Sequence, residues 1–437
     1  MAYMMRREFV KYMVGAGVLA GMRPFRAIPA LAQESNTDYK ALVCVFLYGG
    51  NDSNNLVVPL DGSRYSLYAA NRQGLSVSQA ALLPLTGLPY GLNPNMPGAQ
   101  SLFNQGVMAI VANMGPLIQP TTKAQYLAQA VPLPDNLESH PDQRNCMTTA
   151  LQTSGYTSGW GGRIADAMAL HSASSVPMTM SLYGATPFIN GIGASGYYPG
   201  GGWNCYEGHQ CDRIYEAEQS FLTLETGATL VQKDQQILAG IGTTNGTFLK
   251  AMTQAVTPSV SFPLTSLGEQ LQEVAKIMSV RSQLGTRQIF FVAMQGFDTH
   301  NNQVSVHGPL LQQLDAAITA FSRALQSMNL FEQVTLFTLS EFTRTLMSNG
   351  SGGSDHAWGG HHLVMGGAVK GGQIYGSFPI LEFGGPDDIS TNGSWLPSTS
   401  LNQYAATLAS WFGVPVSALA QVLPNIQNFP TPTLGFV

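Results

Sequence analysis

An α/β fold, built on a mostly parallel sheet covered by helices on both faces, follows from three observations on this 437-residue chain. Short apolar runs recur without alternation, as they do in strands buried on both faces. Two of these runs are joined by a stretch of helical spacing, the pattern of a right-handed βαβ crossover. Polar clusters rich in Asp, Asn and His directly follow the runs, where an open parallel sheet places its ligand site.

The elements follow in chain order. Residues 5–11 (MRREFVK) hold paired arginines, an apolar run follows over 12–22, and Ala30-Leu31-Ala32 offers a small-x-small cleavage pattern. Together these resemble a twin-arginine secretion signal over residues 1–32. The apolar run is too short to span a bilayer, which needs about 20 residues. The mature chain is expected to be exported by the twin-arginine translocation machinery to the periplasm or beyond, with no membrane span.

Residues 41–48 (ALVCVFLY) read as a first buried strand ending at Gly49-Gly50, and 107–112 and 177–183 as further strands. A helix is expected to open at Ser139 and run to about residue 154. The Gly-rich stretch 190–210 reads as an insertion or long loop. Within it Cys205 and Cys211 could close a small disulfide or, with His209, hold zinc, whereas Cys44 reads as a buried thiol. Residues 288–294 (QIFFVAM) predict a strand. The helix after it carries Leu310, Leu311, Leu314, Ile318, Phe321 and Leu325 on one face, and 334–339 (VTLFTL) is the next strand. No charge run or Pro-rich linker interrupts the chain, so one domain over 38–437 is the simplest organisation.

Composition narrows the function. With 20 Lys+Arg against 25 Asp+Glu the net charge is -5, which argues against nucleic acid as a partner. Four cysteines are too few for a disulfide-built scaffold.

The clusters at the strand ends carry the chemistry. They are 49–55 (GGNDSNN), 298–302 (DTHNN), 340–344 (SEFTR) and 353–362 (GSDHAWGGHH), and four of the eight histidines fall in them. Imidazole and carboxylate with little thiolate suit a divalent metal, zinc first, with manganese or iron as alternatives. Asp52, Asp298, His300, Asp355 and His356 would supply most of such a site. A pair of divalent ions would polarise an ester oxygen and offset charge in an in-line displacement. Asp52 and Asp298 could equally be turn formers. Ser139, at a helix start where backbone N–H groups favour anions, is a candidate nucleophile. Its Ser-x-x-Asp context is also that of a capping box. Arg144 or Arg344 could grip an anionic oxygen, or simply form a salt bridge.

Four stretches resemble a bacterial exported family, number 1501 among the domains of unknown function, which is related to the alkaline phosphatase and sulfatase superfamily. They are FLYGGNDSNNLVVPL, GFDTHNNQ, LSEFTRTLMSNGSGGSDHAWGGHHLVMGGAVKGGQIYG and NQYAATLASWFGV, spanning about residues 40–413. The resemblance implies an alkaline-phosphatase-like fold with two metals and a Ser, Thr or formylglycine nucleophile. It implies Asp52 as first-strand ligand, Asp298 and His300 as the middle pair, Asp355-His356 as the Asp-His pair, and His361 or His362 as a further imidazole.

The chain departs from that pattern in three ways. Asp298 and His300 are closely spaced. Ser340-Glu341 stands where the Asp-His pair normally follows its strand, so Glu341 is an alternative ligand, with Asp355-His356 reaching in from a loop. No Cys or Ser begins the x-Pro-x-Arg pattern of a formylglycine sulfatase, and Arg144 falls one residue too late after Ser139. A serine esterase is disfavoured because no Gly-x-Ser-x-Gly elbow is present. The expected activity is hydrolysis of an anionic phosphate or sulfate ester. The rival is a non-catalytic cell-envelope binding or assembly protein on the same fold.

Overall fold

A computed structural model describes residues 39–152, 156–169, 174–199, 220–225 and 228–437. The segment 1–32 read as a secretion signal lies outside the described residues, as do Cys205, His209 and Cys211 and most of the Gly-rich stretch 190–210. Among the described residues, those within 38–204 and 248–437 form one compact unit, and those within 205–247 belong to a second. The helix Thr229–Met252 starts in the second unit. No described helix is long and apolar enough to cross a membrane.

Thirteen strands are present among the described residues: β1 Lys40–Leu47, β2 Val57–Pro59, β3 Leu83–Pro84, β4 Tyr90–Leu92, β5 Met108–Gly115, β6 Thr179–Ser181, β7 Arg287–Met294, β8 Val334–Ser340, β9 Thr343–Arg344, β10 His356–Ala357, β11 Gly360–Met365, β12 Ile374–Tyr375 and β13 Thr399–Ser400. The main sheet runs β12-β5-β11-β8-β1-β7-β6, with β13 also paired to β5. All its pairings are parallel except those of β11, which runs against β5 and β8. The expected crossover from β7 through the helix Gln303–Ser327 to β8 is present, with β1 inserted between the two strands.

β1 is central because its sequence is apolar on both faces. Val43 and Val45 join Phe290, Val292 and Leu336 on one face, beneath the helices Ser266–Ser279 and Gln303–Ser327. Leu42, Cys44 and Phe46 join Phe291, Phe337 and Leu339 on the other, beneath Trp160–Ala167 and Leu401–Phe412. Cys44 is a buried free thiol, and burial raises its pKa.

Register then places the site. Leu47 is level with Met294 on one side and Ser340 on the other, so β1, β7 and β8 end together. Their polar continuations start from one sheet edge. The turn leaving β1 requires glycine, because Gly49 has φ +116° and a Cβ there would lie 2.3 Å from the Asp298 backbone nitrogen. That close approach lets the β1 and β7 continuations share one site.

Candidate metal centre

Asp298 follows β7 and stands at the middle of the cluster. His300 Nε2 lies 3.1 Å and His356 Nε2 3.5 Å from its Oδ1, and His140 Nε2 lies 3.5 Å from its Oδ2. His300 Nε2 and His356 Nε2 are themselves 2.9 Å apart. The edge of a tetrahedron with metal–ligand bonds of about 2.0–2.1 Å is about 3.3 Å, and these separations are of that size. Among the described residues, His140, Asp298 and His356 form a group of three whose ligand atoms all lie within 4.8 Å of one another, and His300 Nε2 lies as close to the last two.

The second nitrogen of each ring fixes its tautomer. His356 Nδ1 is 2.7 Å from the Glu138 carbonyl oxygen, His300 Nδ1 is 3.0 Å from Asp355 Oδ1, and His140 Nδ1 is 3.0 Å from Glu341 Oε1. A carbonyl or an ionised carboxylate can only accept, so each Nδ1 carries a proton, and in the neutral form of each ring the Nε2 lone pair faces Asp298. Two facing lone pairs at 2.9 Å repel unless a cation lies between them. A shared proton serves two atoms, whereas a metal ion serves all four. Carbonyl and carboxylate partners behind imidazole ligands are the usual outer support of a metal site. The residues therefore fit a divalent ion.

Electrostatics favour the same protonation states. Burial works against the charge of Asp298, but the hydrogen bond and positive charge of Arg344 prevail and hold its carboxyl below the ordinary carboxylate range. For Glu341, burial is likewise outweighed, here by hydrogen bonds from His140 and backbone N–H groups and by the Arg144 charge. Burial lowers the His356 pKa, which keeps its ring neutral. Asp355 stays below its usual range against a burial penalty, through Asn349 and His300.

Of the candidates from sequence, Asp298, His300 and His356 come together at the centre. Asp355 and Glu341 stand behind it, each holding an imidazole. Asp52 sits elsewhere: its fully buried carboxylate accepts from Arg72 Nη2 and from Gln303 Nε2 at 2.5 Å. His361 and His362 lie in β11. His361 Nδ1 accepts from the Asn113 backbone N–H at 3.0 Å and its ring stacks on Phe378, while the ring of His362 faces Tyr404. Burial drives their pKa values down to about 3 and about 4.

Arg344, expected as a grip for a substrate anion, serves instead as an internal brace. Its side chain is fully buried and donates to the carbonyls of Gly49, Gly50 and Ser354 and to Asp298. Ser139 precedes the helix His140–Thr149, which stops short of the expected end because Ala150 adopts φ +52°. The Ser139 hydroxyl makes no backbone cap; it donates to Asp142 Oδ2 at 2.7 Å. Arg144, one turn into that helix, packs over the Tyr48 ring at 4.7 Å and reaches Glu341 Oε1 at 3.4 Å. Its side chain is 43% exposed, and it lines a cleft of about 520 Å³ with His140, Asp298, Tyr48, Tyr183 and Gln295.

Sequence reasoning passed over His140 and Glu138. Both lie in the stretch read for its serine, Glu-Ser-His-Pro. The one signal available was a further histidine at a helix start beside residues already under suspicion. The contribution of Glu138 is a main-chain carbonyl, made at a left-handed φ of +69°.

Fold and site together define an α/β protein with a His–Asp cluster at the carboxyl edge of its sheet. Residues 212–395 match the family model described as "Protein of unknown function (DUF1501)". No curated protein matches the chain. Among solved structures, it is similar to the lipoteichoic acid synthase LtaP from Listeria monocytogenes, at 8% identity and TM-score 0.39 over 87% of this chain and 73% of that one. It is similar to the PsFucS1 sulfatase from Pseudoalteromonas sp., at 11% identity and TM-score 0.38 over 92% and 71%. A protein in the alkaline phosphatase superfamily from Vibrio parahaemolyticus matches at 10% identity and TM-score 0.30, over 94% and 76%.

Proposed function

We propose that this chain is a member of that family of unknown function and an exported, metal-dependent hydrolase of phosphate or sulfate esters on an alkaline-phosphatase-like sheet. The observation that carries the reading is the convergence of three imidazole Nε2 atoms on the Asp298 carboxylate, each ring held from behind by an acceptor oxygen. His140, His300, His356 and Asp298 would hold zinc, manganese or iron. Such an ion supplies Lewis acidity to an ester oxygen and to an attacking hydroxyl. The exposed Arg144 guanidinium, stacked on Tyr48, receives an anionic oxygen of the substrate in the cleft. Arg344 keeps Asp298 ionised without entering the cleft. Attack comes from water or from the Ser139 hydroxyl, whose hydrogen bond Asp142 accepts. Export by the twin-arginine machinery would place the protein in the periplasm or outside the cell.

The test is turnover of aryl phosphate and aryl sulfate esters by metal-loaded and chelator-stripped protein. We expect saturable hydrolysis that disappears on stripping, returns with metal, and is reduced at least a hundredfold in His356→Ala. A fall of about three orders of magnitude in Ser139→Ala assigns attack to its hydroxyl, and a change of less than tenfold assigns it to water. A non-catalytic envelope role gains support from one feature, the engagement of the Ser139 hydroxyl by Asp142. Metal binding without turnover on any ester would establish that role and overturn hydrolysis.

A further inference from the structure

The carboxylates at the sheet edge share a feature that bears on how many ions the centre takes. Each of the three that leave the strand ends is bonded to its own guanidinium: Asp52 to Arg72, Asp298 to Arg344 and Glu341 to Arg144. Arg72 and Arg344 have fully buried side chains. Guanidinium does not give up its proton in proteins, so these charges are permanent. Arg72 is braced further by the carbonyls of Thr345 and Leu346 and by Asn55 Oδ1, which leaves it no freedom to swing away.

Resting on the metal-centre reading above, we infer that the site holds a single divalent ion, and that arginine side chains provide the positive charge beside Asp52 and Glu341 that a second ion would otherwise bring. A second ion at Asp52 would share a buried carboxylate with a guanidinium it repels, in surroundings that screen poorly. Asp52 Oδ1 and Glu341 Oε2 are buried without partners. The other oxygen of each is already engaged: Asp52 Oδ2 accepts from Arg72 and Gln303, and Glu341 Oε1 from His140 Nδ1, Arg144 and the Gly49 N–H. The space after Glu341 is also taken. The Phe342 ring packs 4.8 Å from His140 and 4.4 Å from His356, and a Cβ on Gly50 would lie 2.3 Å from it.

The charge balance has a consequence for ligand class. Three imidazoles bring no charge, and the charge of Asp298 is already offset by Arg344. Glu341 is likewise offset by Arg144, while Asp355 brings a negative charge beside His300. The ion's two positive charges are therefore only partly compensated, which favours an anionic ligand over a neutral ester.

The experiment is metal stoichiometry on the full chain, stripped with chelator, reloaded with zinc or manganese, passed through gel filtration and quantified by mass spectrometry. We expect one equivalent per chain in the wild type and also in Asp52→Asn/Arg72→Gln, which removes both charges of the pair together. His140→Ala/His356→Ala should bind none. Two equivalents in the wild type would overturn the single-ion inference while leaving the metal centre standing. Loss of the equivalent in the charge-pair variant, in protein with native circular dichroism, would also overturn it by making Asp52 a ligand. No metal in folded wild type would overturn the metal-centre reading itself. If the double variant fails to fold, the wild-type count and the breakpoint of a cobalt(II) absorption titration still decide.

Discussion

Replacing Glu341 by glutamine removes the charge behind His140 while keeping the side chain's shape. Glu341 is fully buried, and its Oε1 accepts from the Gly49 N–H at 3.0 Å, from His140 Nδ1 at 3.0 Å and from Arg144 at 3.4 Å. A glutamine carbonyl oxygen in the same place still accepts from Gly49 and His140, so the ring keeps its tautomer. What is lost is the difference between a charge-assisted hydrogen bond of about 1.5–3 kcal/mol and a neutral one of about 0.5–1.5 kcal/mol. A loss of about 1.4 kcal/mol corresponds to a tenfold change in a dissociation constant. This sits at the lower end of the roughly 10–100-fold cost of changing an outer partner of a metal ligand. Arg144 loses its ion pair but at 43% side-chain exposure it regains water. The glutamine amide, by contrast, takes the place of the unpartnered Oε2, so a stability cost of about 1–3 kcal/mol is expected beside the affinity change. The assay is competition with a chromophoric chelator for zinc, with the metal-free fold checked by circular dichroism. An affinity unchanged within twofold would refute the orienting role. A fall beyond a hundredfold would make Glu341 a ligand in its own right, as one reading of the sequence has it.

Two further predictions concern histidines away from the centre. Burial lowers the pKa of His307 to about 4, of His361 to about 3 and of His362 to about 4. Their unfolded counterparts take up protons from about pH 6.5 downwards, so the unfolded state binds more protons and stability falls as pH drops towards the folded values. Between pH 6.5 and 5 each contributes a loss of up to about 2 kcal/mol, and urea midpoints at pH 7.5 and 5 should differ accordingly; equal midpoints would contradict burial in the neutral form. His361→Ala should leave metal content at the wild-type level, because the ring stacks on Phe378 and accepts from Asn113 rather than facing Asp298. It should cost about 3 kcal/mol in chemical denaturation through lost packing and an orphaned backbone N–H, and loss of bound metal in this variant would return His361 to the ligand set.

Much of the frame was legible because it depends on residue type over short spans. The run Leu-Val-Cys-Val-Phe-Leu is apolar at every position, short, and closed by Gly49-Gly50, as in a strand covered on both faces. The carboxyl-edge rule then pointed to Asp298, His300 and His356, which do gather at one place. The order of strands was less legible: β7 and β8 are joined by one helix, yet β1 lies between them. Local pattern carries no term for a strand some 240 residues upstream that pairs with both. Asp52 illustrates a second limit. Its position at the first strand end invited a ligand role, and only the fold brings Arg72 and Gln303 onto its carboxylate.

The outer layer of the cluster explains why its membership outran the reach of residue type. The three acceptors that set the imidazole tautomers come from separate segments: the main chain of Glu138, the side chain of Glu341 and the side chain of Asp355. None is distinguished by its own chemistry, since acidic residues are common at strand ends and a carbonyl belongs to every residue. What selects them is distance to an Nδ1. The left-handed backbone at Glu138, disfavoured for a residue with a Cβ, turns one such carbonyl onto His356. Ser394 holds the Glu138 side chain at 3.0 Å, so a loop some 250 residues downstream helps to steady that carbonyl. The same short stretch therefore supplies His140 to the centre from inside its helix and the acceptor for His356 from just outside it. For that reason the segment read for its serine contributes to the centre chiefly through the residues on either side of that serine.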